Sequence, residues 1–214
     1  MNERAETALP SDPERALSLA YASGHVRPAL ALLWRLDEQL GTIVARTDNP
    51  AVGQMRLTWW HDALRTARMM RPVDPLLAEL AEERAIDLPA LLPLIDGWEE
   101  LLEPLPLSDE ALARYADARG GTLFNVAAGL FGGGYAGNAG RLWALVDLAF
   151  RVSDRVTAER ALALAQDARE PLPKPLAILA ALARHDRRRG LDRLRRQGSP
   201  GRVLRALAAG VTGI

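Results

Sequence analysis

The chain has 214 residues, enough for one domain with a sizeable hydrophobic core. Its 27 Lys and Arg residues balance its 27 Asp and Glu residues, so net charge indicates no class of partner. There is no cysteine, which excludes disulfides, thiolate catalysis and thiolate metal sites and fits a reducing compartment. Three histidines lie far apart, which argues against a histidine metal cluster.

The N-terminal segment is polar and acidic, so we expect no signal or transit peptide. No long charge-free apolar run follows, so we expect no membrane-spanning segment. These observations predict a cytoplasmic protein.

Helix formers dominate, and Pro and Gly divide the chain into helices. SDPE at 11–14 predicts a capping box, with Ser11 as the N-cap and a first helix to about Ser23. Later helices are predicted from Pro28 to the TDNP motif, from Pro50 to about Met70, from Pro75, from Pro89, after Ser108, from the end of 129–140 to about Val152, and over 158–166, 175–187 and 202–209.

The fifth helix predicts how these elements pack. One stripe is apolar: Leu91, Leu94, Ile95, Trp98, Leu101 and Leu102. Such stripes must be buried against neighbouring helices, which predicts an all-α, single-domain helical bundle. We divide the chain into a flexible N-terminus (1–10), a helical domain (11–190) and a basic C-terminal extension with a short helix (191–214).

Three motifs have both a chemical and a structural explanation. The acidic residues at 96–103 have metal-ligand spacing, but a solvated helix face explains them better. In WWHD at 59–62, we expect both tryptophans in the core and the polar pair at its rim. The glycine-rich segment 129–140 matches no phosphate-binding motif and is interpreted as a helix connection.

The C-terminal region is strongly basic. Between Arg184 and Arg205 lie nine Arg residues against Asp186 and Asp192, so the local net charge is +7. This stretch is a candidate surface for a protein partner or an anionic membrane, or it docks on the protein's own acidic helices. Few aromatic residues are interleaved, so we expect no nucleic-acid binding.

The order of segments resembles the squalene/phytoene synthase family. ALALLWRLDEQLGTIVARTDNPAVGQMRLTWWHDAL is similar to its N-terminal part, with Arg56, Trp59 and Trp60 in the R-x-x-W-W helix. Tyr115 and Gly121 match the tyrosine and glycine of its Y-x-x-x-x-A-G pattern. GNAGRLWALVDLAFRVSDR resembles the helix with the second aspartate motif, and the likeness extends over about residues 13–190. It implies the isoprenoid synthase fold.

The catalytic aspartates of the family have no counterpart here. The first motif of active members, D-D-x-x-D, falls on Gly41, Thr42 and Ala45. The acids of the second, D-x-x-x-D, fall on Arg151 and Arg155. The neighbouring acids, at positions 37, 38, 147 and 154, do not restore both motifs.

This loss implies that Mg²⁺-triggered ionisation of a prenyl diphosphate is absent, because Gly41 and Ala45 offer no side-chain oxygens to hold the metal. Arg151 and Arg155, which we expect on one helix face, would repel Mg²⁺ and are suited to bind a phosphate directly or to pair with Asp147 or Asp154. Gly41 and Ala45 are equally consistent with close helix packing.

The resemblance therefore implies a non-catalytic scaffold or assembly protein, with no metal and no cofactor. A divergent family branch without the aspartates includes a respiratory complex I assembly factor, which suggests a location peripheral to the inner membrane. The alternatives are a Mg²⁺-dependent prenyltransferase in isoprenoid biosynthesis, and a module that binds a prenyl lipid, a prenyl diphosphate or phosphate. Candidate cavity or anion-binding residues are Arg56, Tyr115, Gly121, Asp147, Arg151 and Arg155.

Overall fold

Side-chain caps and prolines start most of the helices. Asn49, Asp74 and Asp154 accept hydrogen bonds from amides in the first turn of the helix that follows, and Ser108 does the same at its helix. These caps satisfy amides that have no partner inside the helix. The helix starts expected at Pro50, Pro75 and after Ser108 are confirmed.

The computed structural model describes residues 8–192, 195 and 197–212. It contains α1 (Pro13–Leu19), α2 (Arg27–Ala45), α3 (Pro50–Thr66), α4 (Pro75–Glu82), α5 (Leu92–Glu99), α6 (Asp109–Tyr115), α7 (Thr122–Gly129), α8 (Gly137–Ala149), α9 (Arg155–Leu164), α10 (Lys174–Arg189) and α11 (Pro200–Thr212). Single 3₁₀ turns flank α5 at Pro89–Leu91 and Glu100–Leu102. No β-strand occurs among these residues, so the all-α fold is confirmed. The same residues contain no helix with both the length and the hydrophobicity to cross a membrane.

The core is organised around α2 and α8, most of whose residues are buried. Three rings meet at its centre: Trp34 of α2, Phe124 of α7 and Trp143 of α8, with centroids 5.4–6.4 Å apart. The stripe expected on the fifth helix is buried or half-buried, and its acidic side faces outward. Amphipathic helices packed around the buried α8 and the buried face of α2 give the helical bundle that the sequence predicts.

A π-helical segment, Ala116–Gly121, joins α6 to α7 without a break. Gly120 in this segment touches the backbone of Gly140 in α8, and a Cβ on either glycine would overlap the backbone of the other. Two glycines therefore permit a close approach of the π segment to α8. This approach brings Arg119 next to the buried face of α8, where it forms part of the site described below.

Several local predictions are wrong. The N-cap of α1 is Asp12, which accepts from the amides of Glu14 and Arg15, whereas the Ser11 hydroxyl donates to Glu38. The helix also ends at Leu19 instead of near Ser23. Trp60 is buried, but Trp59 is 53% exposed on α3, because consecutive helical residues point about 100° apart.

Candidate functional site

A cavity of about 780 Å³ lies between the start of α1, α2, the C-terminal end of α5, the π segment and the end of α8. Gly41, Thr42 and Ala45, the first-motif positions, line one wall. Of the other candidate residues, Tyr115, Asp147 and Arg151 also line it. The structure thus brings both aspartate-motif regions to one cavity.

Three candidate residues do not line this cavity. Arg56 is exposed on α3, and Gly121 is buried within the π segment. Arg155 begins α9, whereas Arg151 follows the end of α8, so the expectation that both share one helix face is wrong. Arg155 pairs with Glu159 and Asp192, with Nε 2.7 Å from the Glu159 carboxylate.

Asp37 is the most enclosed acid of the cavity and is fully buried. Its Oδ1 accepts from Trp98 Nε1 and Arg119 Nε, both at 2.9 Å. Its Oδ2 accepts from Arg15 Nη2 at 2.7 Å and from Arg119 Nη2 at 2.8 Å. Burial alone would raise the pKa of Asp37, but the charges of Arg119 and Arg15 hold this pKa below its ordinary value. Four donors occupy the acceptor positions of an ionised carboxylate.

Arg119 links this acid to the second one. It is 1% exposed, and its Nη2 also donates to Asp147 Oδ2 at 3.1 Å. The guanidinium lies 4.2 Å from the ring centroid of Trp98 and 4.6 Å from that of Trp143. Its Nη1 donates to the Tyr115 hydroxyl. Hydrogen bonds and aromatic faces thus compensate for burying this charge.

Asp147 on α8 is also engaged by arginines. Its Oδ1 accepts from Arg151 Nε at 2.8 Å and from Arg195 Nη1 at 3.2 Å. Burial would raise the pKa of Asp147, but Arg119, Arg151 and Arg195 hold it far below its ordinary value. The predicted pairing of Arg151 with Asp147 is therefore present. Arg151 Nη2 also donates to Asp12 at 2.9 Å, so this guanidinium is already paired with two carboxylates and is not free to bind a phosphate.

Gly41 lies against the edge of the Trp98 indole. A Cβ on residue 41 would lie 2.7 Å from Trp98 Cη2 and 3.0 Å from Cζ2, closer than packed atoms tolerate. The indole cannot easily yield, because its Nε1 is bonded to Asp37 and Arg119 covers its face. Close packing therefore accounts for the glycine. Trp98 occupies the space next to position 41, where active members of the family have the first aspartate of the motif.

The residues present do not fit a Mg²⁺ site. Mg²⁺ needs carboxylate oxygens with free lone pairs, whereas guanidinium and indole donors occupy those of Asp37, and guanidinium donors those of Asp147. Glu38 accepts from the Ser11 amide and hydroxyl and from the Asp12 amide. Within the described part of the chain, no cluster of three or more His, Asp or Glu residues is arranged to hold a metal.

The basic C-terminal stretch is partly internal. Arg202 of α11 is buried and bonded to both Glu14 oxygens, at 2.5 and 2.9 Å, and to Asp186. Arg195 pairs with the same two acids. Docking on the protein's own acids, one of the two alternatives, thus holds for these residues. Arg193 and Arg196 lie outside the described residues, as do residues 1–7 of the N-terminus expected to be flexible.

Sequence reasoning did not identify Arg119 or the role of Asp37. One signal was available: Tyr115 and Arg119 are four residues apart in YADARGG, within a helical stretch. Asp37 likewise has Leu33, Trp34 and Leu40 at helical spacing on its own face of α2, a position where an acid requires a buried partner. The partner could not be found from spacing, because 82 residues separate Asp37 from Arg119.

Comparison with family models places the chain in a known group of proteins. The squalene/phytoene synthase model matches residues 10–149, about two thirds of the chain. The chain therefore belongs to the squalene/phytoene synthase family. Neither the comparison with curated proteins nor that with solved structures gives a significant match.

Proposed function

We propose that this protein is a non-catalytic member of the squalene/phytoene synthase family. One observation carries the proposal: the two acids of the cavity, Asp37 and Asp147, are bonded to arginines and have no lone pairs directed at a shared metal position. Without bound Mg²⁺, the negative charge that develops on a leaving pyrophosphate is not stabilised.

The contact between Gly41 and Trp98 supports the same conclusion from the other side of the cavity. A carboxylate at position 41 would have to displace an indole that is fixed by a hydrogen bond and a stacked guanidinium. The catalytic arrangement is thus replaced by a packed one, and restoring one acid would not recreate it.

A scaffold or assembly role is the function we favour for such a protein. The divergent branch of the family that lacks the aspartates provides the analogy, including its respiratory complex I assembly factor. This analogy rests on the same features as the loss of catalysis: Gly41, Thr42 and Ala45 in place of the first motif, and Arg151 in place of an acid of the second.

Incubation with farnesyl or geranylgeranyl diphosphate and Mg²⁺ tests the proposal. We expect no release of inorganic pyrophosphate above a protein-free control, with an active squalene or phytoene synthase as the positive control. Release that requires both Mg²⁺ and this protein would refute the proposal and establish the alternative, a prenyltransferase.

The exposed arginines at the end of α10 are our candidate contact with a protein partner or an anionic membrane surface. Arg187, Arg188 and Arg189 are all exposed, in contrast to Arg195 and Arg202. Adjacent guanidinium groups attract anionic lipid headgroups through a long-range field.

Vesicle co-sedimentation tests the membrane contact. We expect that replacing the three residues at 187–189 by Glu reduces binding to vesicles containing phosphatidylserine. The matched control reverses the charge of three arginines exposed elsewhere, Arg65, Arg71 and Arg84. Equal binding by the wild type and both variants would remove the membrane contact from the proposal.

A further inference from the structure

The cavity is large enough for a small molecule, and part of its lining is apolar. Its volume of about 780 Å³ lies within the range of about 300–1,000 Å³ typical of small-molecule sites. Six aliphatic side chains line this part: Val44, Leu101, Leu105, Leu107, Leu148 and Val152. A hydrocarbon chain placed there would leave water for an apolar wall.

The polar part of the cavity carries more negative than positive charge. Its lining includes four carboxylates and three guanidinium groups, a formal net charge of −1. Each guanidinium already pairs with a carboxylate: Arg15 with Asp37 at 2.7 Å, and Arg151 with Asp12 at 2.9 Å. Arg119 lies between Asp37 and Asp147.

An anionic ligand would meet this arrangement at a disadvantage. It would have to compete with a fixed carboxylate for each arginine while its own charge lost hydration. An uncharged polar group avoids both costs, since it needs only one or two hydrogen bonds. Ser153 is an uncharged polar residue of the lining. Ser11 and Gln197, whose hydroxyl and amide nitrogen already donate to Glu38 and Asp12, keep oxygens that can accept from a ligand hydroxyl.

We propose that the cavity binds an uncharged amphiphile, an apolar chain with a hydroxyl-like head, and discriminates against an anionic head on the same chain. The proposal concerns the ligand of the cavity and goes beyond the scaffold role. It also opposes the expectation that Arg151 binds a phosphate, because that side chain is engaged by two carboxylates.

Isothermal titration calorimetry with two ligands of equal chain length tests the proposal. Decanol below its solubility limit and decyl phosphate below its critical micelle concentration differ only in the head. We expect decanol to bind with one-to-one stoichiometry and decyl phosphate to bind at least about tenfold more weakly. Equal or tighter binding of decyl phosphate, or no binding of decanol, would overturn the proposal.

Matched variants locate the binding. Ala45 lines the cavity and Ala51 lies outside it at the start of α3, and both side chains are exposed. Ala45→Trp should abolish decanol binding and Ala51→Trp should leave it unchanged. If both variants bind decanol equally well, the ligand lies elsewhere and the proposal fails.

A charge variant tests the basis of the discrimination. Asp12→Asn brings the formal charge of the lining to zero and weakens the competitor for Arg151. The ratio of decyl phosphate to decanol affinity should rise severalfold, and an unchanged ratio would contradict the electrostatic argument. Tight binding of decyl phosphate, together with no release of pyrophosphate from farnesyl or geranylgeranyl diphosphate, would refute this inference alone and leave the non-catalytic proposal intact.

Discussion

Replacing Arg119 by methionine removes the cation that links Asp37 on α2 to Asp147 on α8. The side chain is 1% exposed and donates two hydrogen bonds to Asp37, at 2.9 and 2.8 Å, and one to Asp147 at 3.1 Å. Methionine keeps much of the apolar volume between the tryptophan rings, so the loss is mainly electrostatic.

The size of the expected loss in stability depends on the ion pairs that remain in the variant. Removing one partner of a buried ion pair costs about 3–5 kcal/mol. Asp37 retains Arg15 at 2.7 Å, and Asp147 retains Arg151 at 2.8 Å and Arg195 at 3.2 Å, so each acid keeps at least one cation. We therefore expect a loss near 3 kcal/mol, a large part of the roughly 5–15 kcal/mol that stabilises a folded domain.

Urea unfolding followed by circular dichroism measures this loss as the change in the free energy of unfolding. Arg114→Met is the matched control, because Arg114 makes a bidentate pair with Glu100 at 2.7 Å but is half-exposed. Solvent weakens such a pair, so its removal should cost far less. Equal losses in the two variants would refute the view that the Arg119 network holds the cavity together.

Further predictions concern single contacts. Gly41→Ala should lower the free energy of unfolding by about 1–3 kcal/mol, because its Cβ would overlap an indole, whereas Gly129→Ala, with open space around it, should not destabilise. The pKa of Asp147 is depressed, so its stabilisation is present above the ordinary carboxyl pKa near 3.9 and is lost as pH falls through the lower folded value. Asp147→Asn should therefore flatten the pH dependence of urea stability between about pH 4 and 2. Arg202→Met should lower Tm because it leaves two buried acids short of a partner, while Arg205→Met on the exposed side of α11 should not. Equal Tm losses in these two variants would contradict the argument about Arg202. A wild-type stability that does not change with pH in the acid range would contradict the argument about Asp147.

The sequence predicts the elements of the fold well because most of their signals are local. A cap, a proline and an apolar stripe lie within one or two turns, as at Ser108 and on the fifth helix. The error at α1 has a tertiary cause, a contact between residues 27 apart in sequence. Two adjacent residues, Ser11 and Asp12, can each cap the helix, and the contact between Ser11 and Glu38 leaves the role to Asp12.

The site is predicted only in part, because its chemistry depends on residues distant in sequence. The missing acids at Gly41 and Ala45 can be identified from the motif. The reason for a glycine at position 41 cannot be identified from the sequence, because the indole that contacts it belongs to Trp98 on another helix. The neutralisation of Asp37 likewise requires the approach of the π segment to α8, which brings Arg119 to it.

Binding of Mn²⁺, a paramagnetic substitute for Mg²⁺, tests the central claim most directly. Electron paramagnetic resonance would compare free Mn²⁺ in the presence of farnesyl thiodiphosphate, an analogue slow to ionise, with and without the protein. Because guanidinium groups occupy the oxygens of Asp37 and Asp147, we predict no protein-dependent loss of the free Mn²⁺ signal. A loss at micromolar Mn²⁺ that disappears in Asp147→Asn would contradict the account and place a metal in the cavity.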